Sequence, residues 1–114
     1  MRTILITGSR KWTDEKTIEE ILNKLPEDVL VIHGGATGAD QITDNKCKAL
    51  GIPTKVYRPV KESIGVYYLH RNAEMVGVCD EVIAFWDGES RGTKFTIDYA
   101  EARGKLVTVY LKDN

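Results

Sequence analysis

Chemistry in this chain is concentrated where short apolar runs end in glycines. The fullest case is Val29 to Asp40, V-L-V-I-H-G-G-A-T-G-A-D. Val29–Ile32 has the continuous apolar pattern of a strand buried on both faces. His33 ends the run, then Gly34, Gly35, Ala36, Thr37 and Gly38 make a turn into a segment with helical spacing from Ala39. Glycines allow close backbone approach, and a helix start presents unpaired N–H groups with partial positive charge, which is how a strand–turn–helix holds a phosphate. The same glycines also suit a plain sharp turn. The spacing is neither G-x-G-x-x-G nor the P-loop pattern, so neither a dinucleotide nor a P-loop claim follows. Asp40 has two roles open to it, supporting the helix dipole or accepting hydrogen bonds from sugar hydroxyls.

Three further stretches offer complementary groups. Gly8-Ser9-Arg10 closes the first apolar run, and Arg10 can take a phosphate in fork geometry or lie solvated on the surface. Ser90-Arg91-Gly92-Thr93 again sets a glycine and hydroxyls at a helix start, where Thr93 serves as N-cap, as ligand donor or as both. His70, Arg71, Asn72 and Met75 fall in the first two turns of a third helix, able to reach a ligand or to form a solvated face. Trp86 ends a strand, where it can stack on a base or fill a core or edge position. His33 has no partner visible in sequence and reads equally as a satisfied histidine at a strand end.

The elements that must position these groups alternate strictly. Strands are expected at Thr3–Thr7, Val29–Ile32, Thr54–Tyr57, Glu81–Trp86 and Leu106–Leu111. The first helix carries Ile18, Ile21, Leu22 and Leu25 on one face, with Thr13 or Asp14 as cap and Pro26 as stop. In the second, Ala39, Thr43, Cys47 and Leu50 share a stripe, and Gly51 caps it. Pro53 opens the third strand, Pro59 stops it, and Val60–Val66 reads as a loop. A third helix is expected from Tyr67 to Val78 with Leu69, Ala73 and Val76 inward. Thr93, Ile97 and Ala100 line a fourth, capped by Gly104. Five nearly all-apolar strands alternating with four helices predict an α/β fold, a parallel sheet covered on both faces. Right-handed crossovers then favour a central first strand and the order 3-2-1-4-5. Ligands bind such a sheet beyond the carboxyl ends of its strands, where Gly8–Arg10, Gly34–Gly38 and Asp87–Thr93 would meet.

Length and composition set the class. The chain's 114 residues fit one domain, and 42% hydrophobic with 29% charged residues is ordinary for a globular protein. A formal net charge of −1 argues against a broad nucleic-acid surface, so nucleic acid is not the expected partner. No eighteen-residue apolar stretch and no signal-peptide pattern occur, which predicts a cytoplasmic protein with no membrane partner. Cys47 and Cys79, both expected in helices, read as buried reduced thiols, and no metal site or cofactor is expected.

Taken together, G-S-R at 8–10, H-G-G-A-T-G-A-D at 33–40, R-N-A-E-M at 71–75 and S-R-G-T at 90–93 resemble the SLOG superfamily, which includes the Smf/DprA and LOG proteins. The closest resemblance is to its YspA-type branch of small single-domain proteins. It implies a Rossmann-like three-layer sandwich and a nucleotide or nucleotide-derived, ADP-ribose-like ligand. It also implies a homo-oligomer. In that reading Gly8, Ser9, Arg10, the Gly34–Gly38 turn, Asp40, Arg71, Asn72, Trp86, Ser90, Gly92 and Thr93 form the binding site. LOG enzymes cleave the N-glycosidic bond of nucleoside monophosphates with an arginine and a glutamate. Arg71 and Met75 match the arginine segment, whereas Thr96 stands where the glutamate would be, and Asp98 lies about 200° further around the helix. A hydrolase reading would therefore need Asp40, Glu74 or Asp98 as its carboxylate beside Arg71, with Asp40 and Arg71 the leading catalytic candidates.

Overall fold

The computed structural model describes residues 1–58 and 65–112, without the side chains of residues 65–67. Its elements run β1 (Arg2–Gly8), α1 (Glu15–Asn23), β2 (Val29–His33), α2 (Ala39–Leu50), β3 (Thr54–Val56), α3 (Gly65–Val78), β4 (Glu81–Trp86), α4 (Arg91–Ala102) and β5 (Leu106–Leu111). The strands form one sheet in the order β3-β2-β1-β4-β5, every neighbouring pair parallel. This is the expected Rossmann-like architecture with β1 at its centre.

The winding reverses at β1, which puts the helices on opposite faces. On one side Ile4, Ile6, Val31, Ile83 and Phe85 pack against Ile18 and Leu22 of α1 and Ala39 and Cys47 of α2. On the other, Leu5, Ile32 and Val82 meet Met75, Val76 and Cys79 at α3 and Ala100 of α4. Trp12 and Tyr110 flank the Phe85 ring, each with centroids 5.5 Å away. Asp14 caps α1 by accepting from the Thr17 N–H, and Ser90 caps α4 by accepting from that of Thr93. Among the described residues no helix is long and apolar enough to cross a membrane.

Several local expectations are corrected. The buried face of α3 is Arg71, Asn72, Met75 and Val76, while Leu69 is exposed and Ala73 only half-buried. The helix is rotated so that a polar pair faces inward. Helix α1 ends at Asn23, and Leu25 packs on the core from the loop beyond. Leu50 is exposed at the last turn of α2, and Cys79 follows α3 rather than lying in it. Both cysteines are buried free thiols, and burial pushes Cys47 up to about 12. Strand β3 ends at Val56, one residue short of the expected span. Strand β5 is an open edge, with Leu106 and Leu111 exposed rather than buried. The Pro59 stop and residues 60–64 of the expected loop lie outside the described residues, and Gly65 and Val66 already belong to α3.

Candidate functional site

The β1 end is fastened first. Ser9 is fully buried, and its hydroxyl accepts from the Asp87 N–H at 3.0 Å. Its N–H donates to the Phe85 carbonyl, and its own carbonyl accepts from the N–H groups of Trp12 and Ala39. One serine thereby joins the ends of β1 and β4 to the start of α2. The loop after β4 is held by Asp87, whose carboxylate accepts from the N–H groups of Ser90 and Glu89, both at 2.9 Å. Those bonds hold the Asp87 carboxyl below the usual range.

The glycine turn is pinned from inside. Asp40, 5% exposed, accepts with Oδ2 from the N–H groups of Gly34 at 3.1 Å and Ala36 at 3.3 Å. Burial pushes its carboxyl pKa up, against the pull of His33, those N–H bonds and Arg71. Its Oδ1 is buried without a partner among the described residues. His33 is also inside: Nδ1 accepts from the Gly35 N–H at 3.0 Å, so its ring proton sits on Nε2, 2.9 Å from Asp44. Asp44 additionally accepts from Thr54 and pairs with Lys48. His33 is thus the satisfied strand-end histidine.

Arg71 crosses from α3 to lock the same turn. It donates through Nη1 to the carbonyls of Gly34 at 2.6 Å and Tyr57 at 2.9 Å, and through Nε to Asn72 Oδ1 at 2.8 Å. Burial pulls its pKa down, but an arginine at this level stays charged. The spacing of the turn follows from these contacts. A Cβ on Gly34 would collide with the Arg71 guanidinium. One on Gly38, at φ 77°, would strike the backbone carbonyl of Arg10.

What these fastenings leave open is a narrow pit of about 80 Å³ at the carboxyl end of the sheet. Thr7, Gly8, Ala36, Asp40, Arg71, Asn72, Met75, Ser90, Gly92 and Thr93 line it, together with exposed Arg10 and half-buried Tyr68. A groove of about 250 Å³ continues over Gly34–Thr37 between Arg10 and Arg58, and another of about 350 Å³ runs past Arg10, Asp87, Ser90 and Gly92. The Tyr68 ring lies between two cations, 5.5 Å from the Arg10 guanidinium and 5.4 Å from that of Arg71.

Most expected site residues therefore converge. Gly8, Arg10, Gly34, Gly35, Ala36, Thr37, Asp40, Arg71, Asn72, Ser90, Gly92 and Thr93 all line this connected space. Ser9, Gly38 and Trp86 line none of these three clefts. Ser9 and Gly38 shape the walls, and the Trp86 indole donates to the Ser90 carbonyl at 3.0 Å. Thr93 also serves as a structural hydroxyl, 3.0 Å from Ser90 Oγ. Asp98 sits outside, paired with Lys94 on the exposed face of α4. Thr7, Tyr68 and Arg58 were not anticipated. An aromatic one turn before Arg71 was the only available signal for Tyr68, and nothing in the sequence marks Arg58.

Comparison with known proteins agrees with this architecture. The family model for YspA, cpYpsA-related SLOG proteins matches residues 2–62. The Gene 61 protein of Mycobacterium phage D29 is 35% identical over 115 residues, covering 91% of this chain and 92% of that protein. Among solved structures, DNA processing protein A (DprA) of Streptococcus pneumoniae aligns with a TM-score of 0.86 at 18% identity, over 96% of this chain and 50% of its own. The protein TM1055 aligns at 0.72 with 20% identity, over 94% and 72% respectively. At such identities the two structures establish a shared fold. On the family match and the phage relative, the chain belongs to the YspA, cpYpsA-related SLOG family.

Proposed function

We propose that this protein binds a nucleotide or nucleotide-derived, ADP-ribose-like ligand at the carboxyl ends of its strands, as a sensor or sequestering module in the cytoplasm. The observation that carries the reading is the connected cleft around Arg10. It brings the glycine turn, the start of α4 and three arginines around adjoining clefts that share Arg10, with Asp40, Asp87 and Glu89 on the same walls. Binding is favoured over hydrolysis because Thr96 stands where the LOG glutamate would be, exposed Glu74 lines none of the three clefts, and the other candidates are committed at least in part to the fold. Asp40 and Arg71 hold the turn, and Asp98 pairs with Lys94. Homo-oligomerisation is part of the same proposal and is read by sedimentation velocity.

Calorimetry against a panel of nucleoside mono- and diphosphates, ADP-ribose and ribose 5-phosphate tests it. Arg10→Ala is the informative variant, since Arg10 is exposed and its guanidinium contacts the Tyr68 ring at the cleft itself. We expect binding by at least one panel member and about a tenfold loss in Arg10→Ala, with an unchanged melting temperature. No binding by any panel member refutes the proposal. Release of free base from a monophosphate, lost in Asp40→Asn, would make the hydrolase reading the better one. A shift of single-stranded DNA in a gel, with no nucleotide binding, would point to nucleic acid.

A further inference from the structure

The pit and the grooves differ in what they can hold. The outer groove has Arg10 and Arg58 on either side of the glycine turn, a setting for anionic groups. The pit has Arg71, but Arg71 already spends donors on Gly34, Tyr57 and Asn72. Beside it stands a buried carboxyl side chain, Asp40, which disfavours a phosphate there. At about 80 Å³ the pit has room for two or three water-sized groups. Its polar offerings are complementary. Asp40 lines the pit, and its Oδ1, the carboxyl oxygen that the turn does not use, is buried without a partner among the described residues. Asn72 has its Oδ1 taken by Arg71, so its amide NH₂ is what remains for a ligand. Thr7 adds a hydroxyl to the wall.

We propose that the pit is a hydroxyl-recognition subsite, in which Asp40 Oδ1 and the Asn72 amide take a vicinal pair of ligand hydroxyls, as on an unmodified ribose. The ligand enters sugar first, and its phosphates lie outward on Arg10, Arg58 and the glycine turn. This rests on the nucleotide reading above and narrows it to ribose-bearing ligands. A sugar lacking one hydroxyl leaves a buried polar group unpaired, which is what makes such sites selective.

The test measures binding of AMP and of ribose 5-phosphate, each against its 2-deoxy counterpart, to wild-type protein and to Asp40→Asn. Asparagine keeps an oxygen for the Gly34 and Ala36 N–H groups and replaces Oδ1 with a donor. We expect at least tenfold preference for the ribose member of a pair in the wild type, falling to within about twofold in Asp40→Asn. The wild-type comparison stands alone if the variant does not fold. Equal binding of ribose and deoxyribose forms overturns the subsite and leaves the anion-binding reading intact. Preference that survives in a folded Asp40→Asn overturns the assignment to Asp40. Binding by no member of either pair at millimolar concentration removes the nucleotide reading for these ligands and this inference with it.

Discussion

Arg10 and Arg71 carry the same charge in the same cleft, yet they differ in what their loss would do. Arg71 is buried and supplies donors to two backbone carbonyls from different loops. Removing it orphans both carbonyls and takes away a cation that favours the ionised form of Asp40. We expect Arg71→Met to cost about 2–4 kcal/mol in chemical denaturation. Loss of ligand binding in that variant would therefore report on folding, whereas Arg10→Ala reports on the site. If Arg71→Met unfolds at the wild-type denaturant midpoint, the guanidinium is not the lock described here. The sequence marked both arginines as anion-binding candidates, and it could not separate them. The distinction lies in carbonyls 37 and 14 residues away from Arg71.

At the level of elements, the glycine turn and α3 were legible to different degrees. The turn was anticipated from glycines between an apolar run and a helix, a local pattern. Its physical reasons are partly tertiary: Gly38 needs a positive φ and also passes directly under the Ser9–Arg10 backbone. Gly104 shares the positive φ, at 74°, but a Cβ there would meet open space. Gly104→Ala should then cost about 1 kcal/mol from backbone strain alone. Gly38→Ala adds a clash with main chain and should cost at least about 3 kcal/mol, measured in paired thermal melts. Equal losses would show that the close approach is not a constraint. Helix α3 was misread in part: Val76 is inward as expected, but Leu69 and Ala73, which complete a plausible apolar stripe with it, are not. The real inward face carries Arg71 and Asn72, which become tolerable only because other elements bring partners to them.

Across the whole molecule, buried Asp40 and partly exposed Asp44 give stability a pH dependence of two signs. Asp44 is held below its ordinary value by Lys48 and His33, so its contribution is full above about pH 3.8 and is lost as pH falls through its lowered value. Asp40 is raised by burial, so its ionisation opposes folding as pH climbs from about 3.8 through that raised value. Asp44→Asn should melt about 3–6 °C below wild type at pH 7, with the deficit shrinking toward pH 3. A deficit constant with pH would mean that Asp44 acts by packing rather than charge. The sequence by itself determined the sheet, its parallel order 3-2-1-4-5 and the edge at which the candidate loops gather. Apolar runs, glycine breaks and crossover handedness are local or generic properties. Only the tertiary structure decided which polar groups are locks and which remain open. Ser9 meets Asp87 across 78 positions, Arg71 meets Gly34 across 37, and Tyr68 comes between Arg10 and Arg71. A polar side chain's role is set by whether its partners arrive with it, and those partners come from distant chain segments that no local pattern encodes.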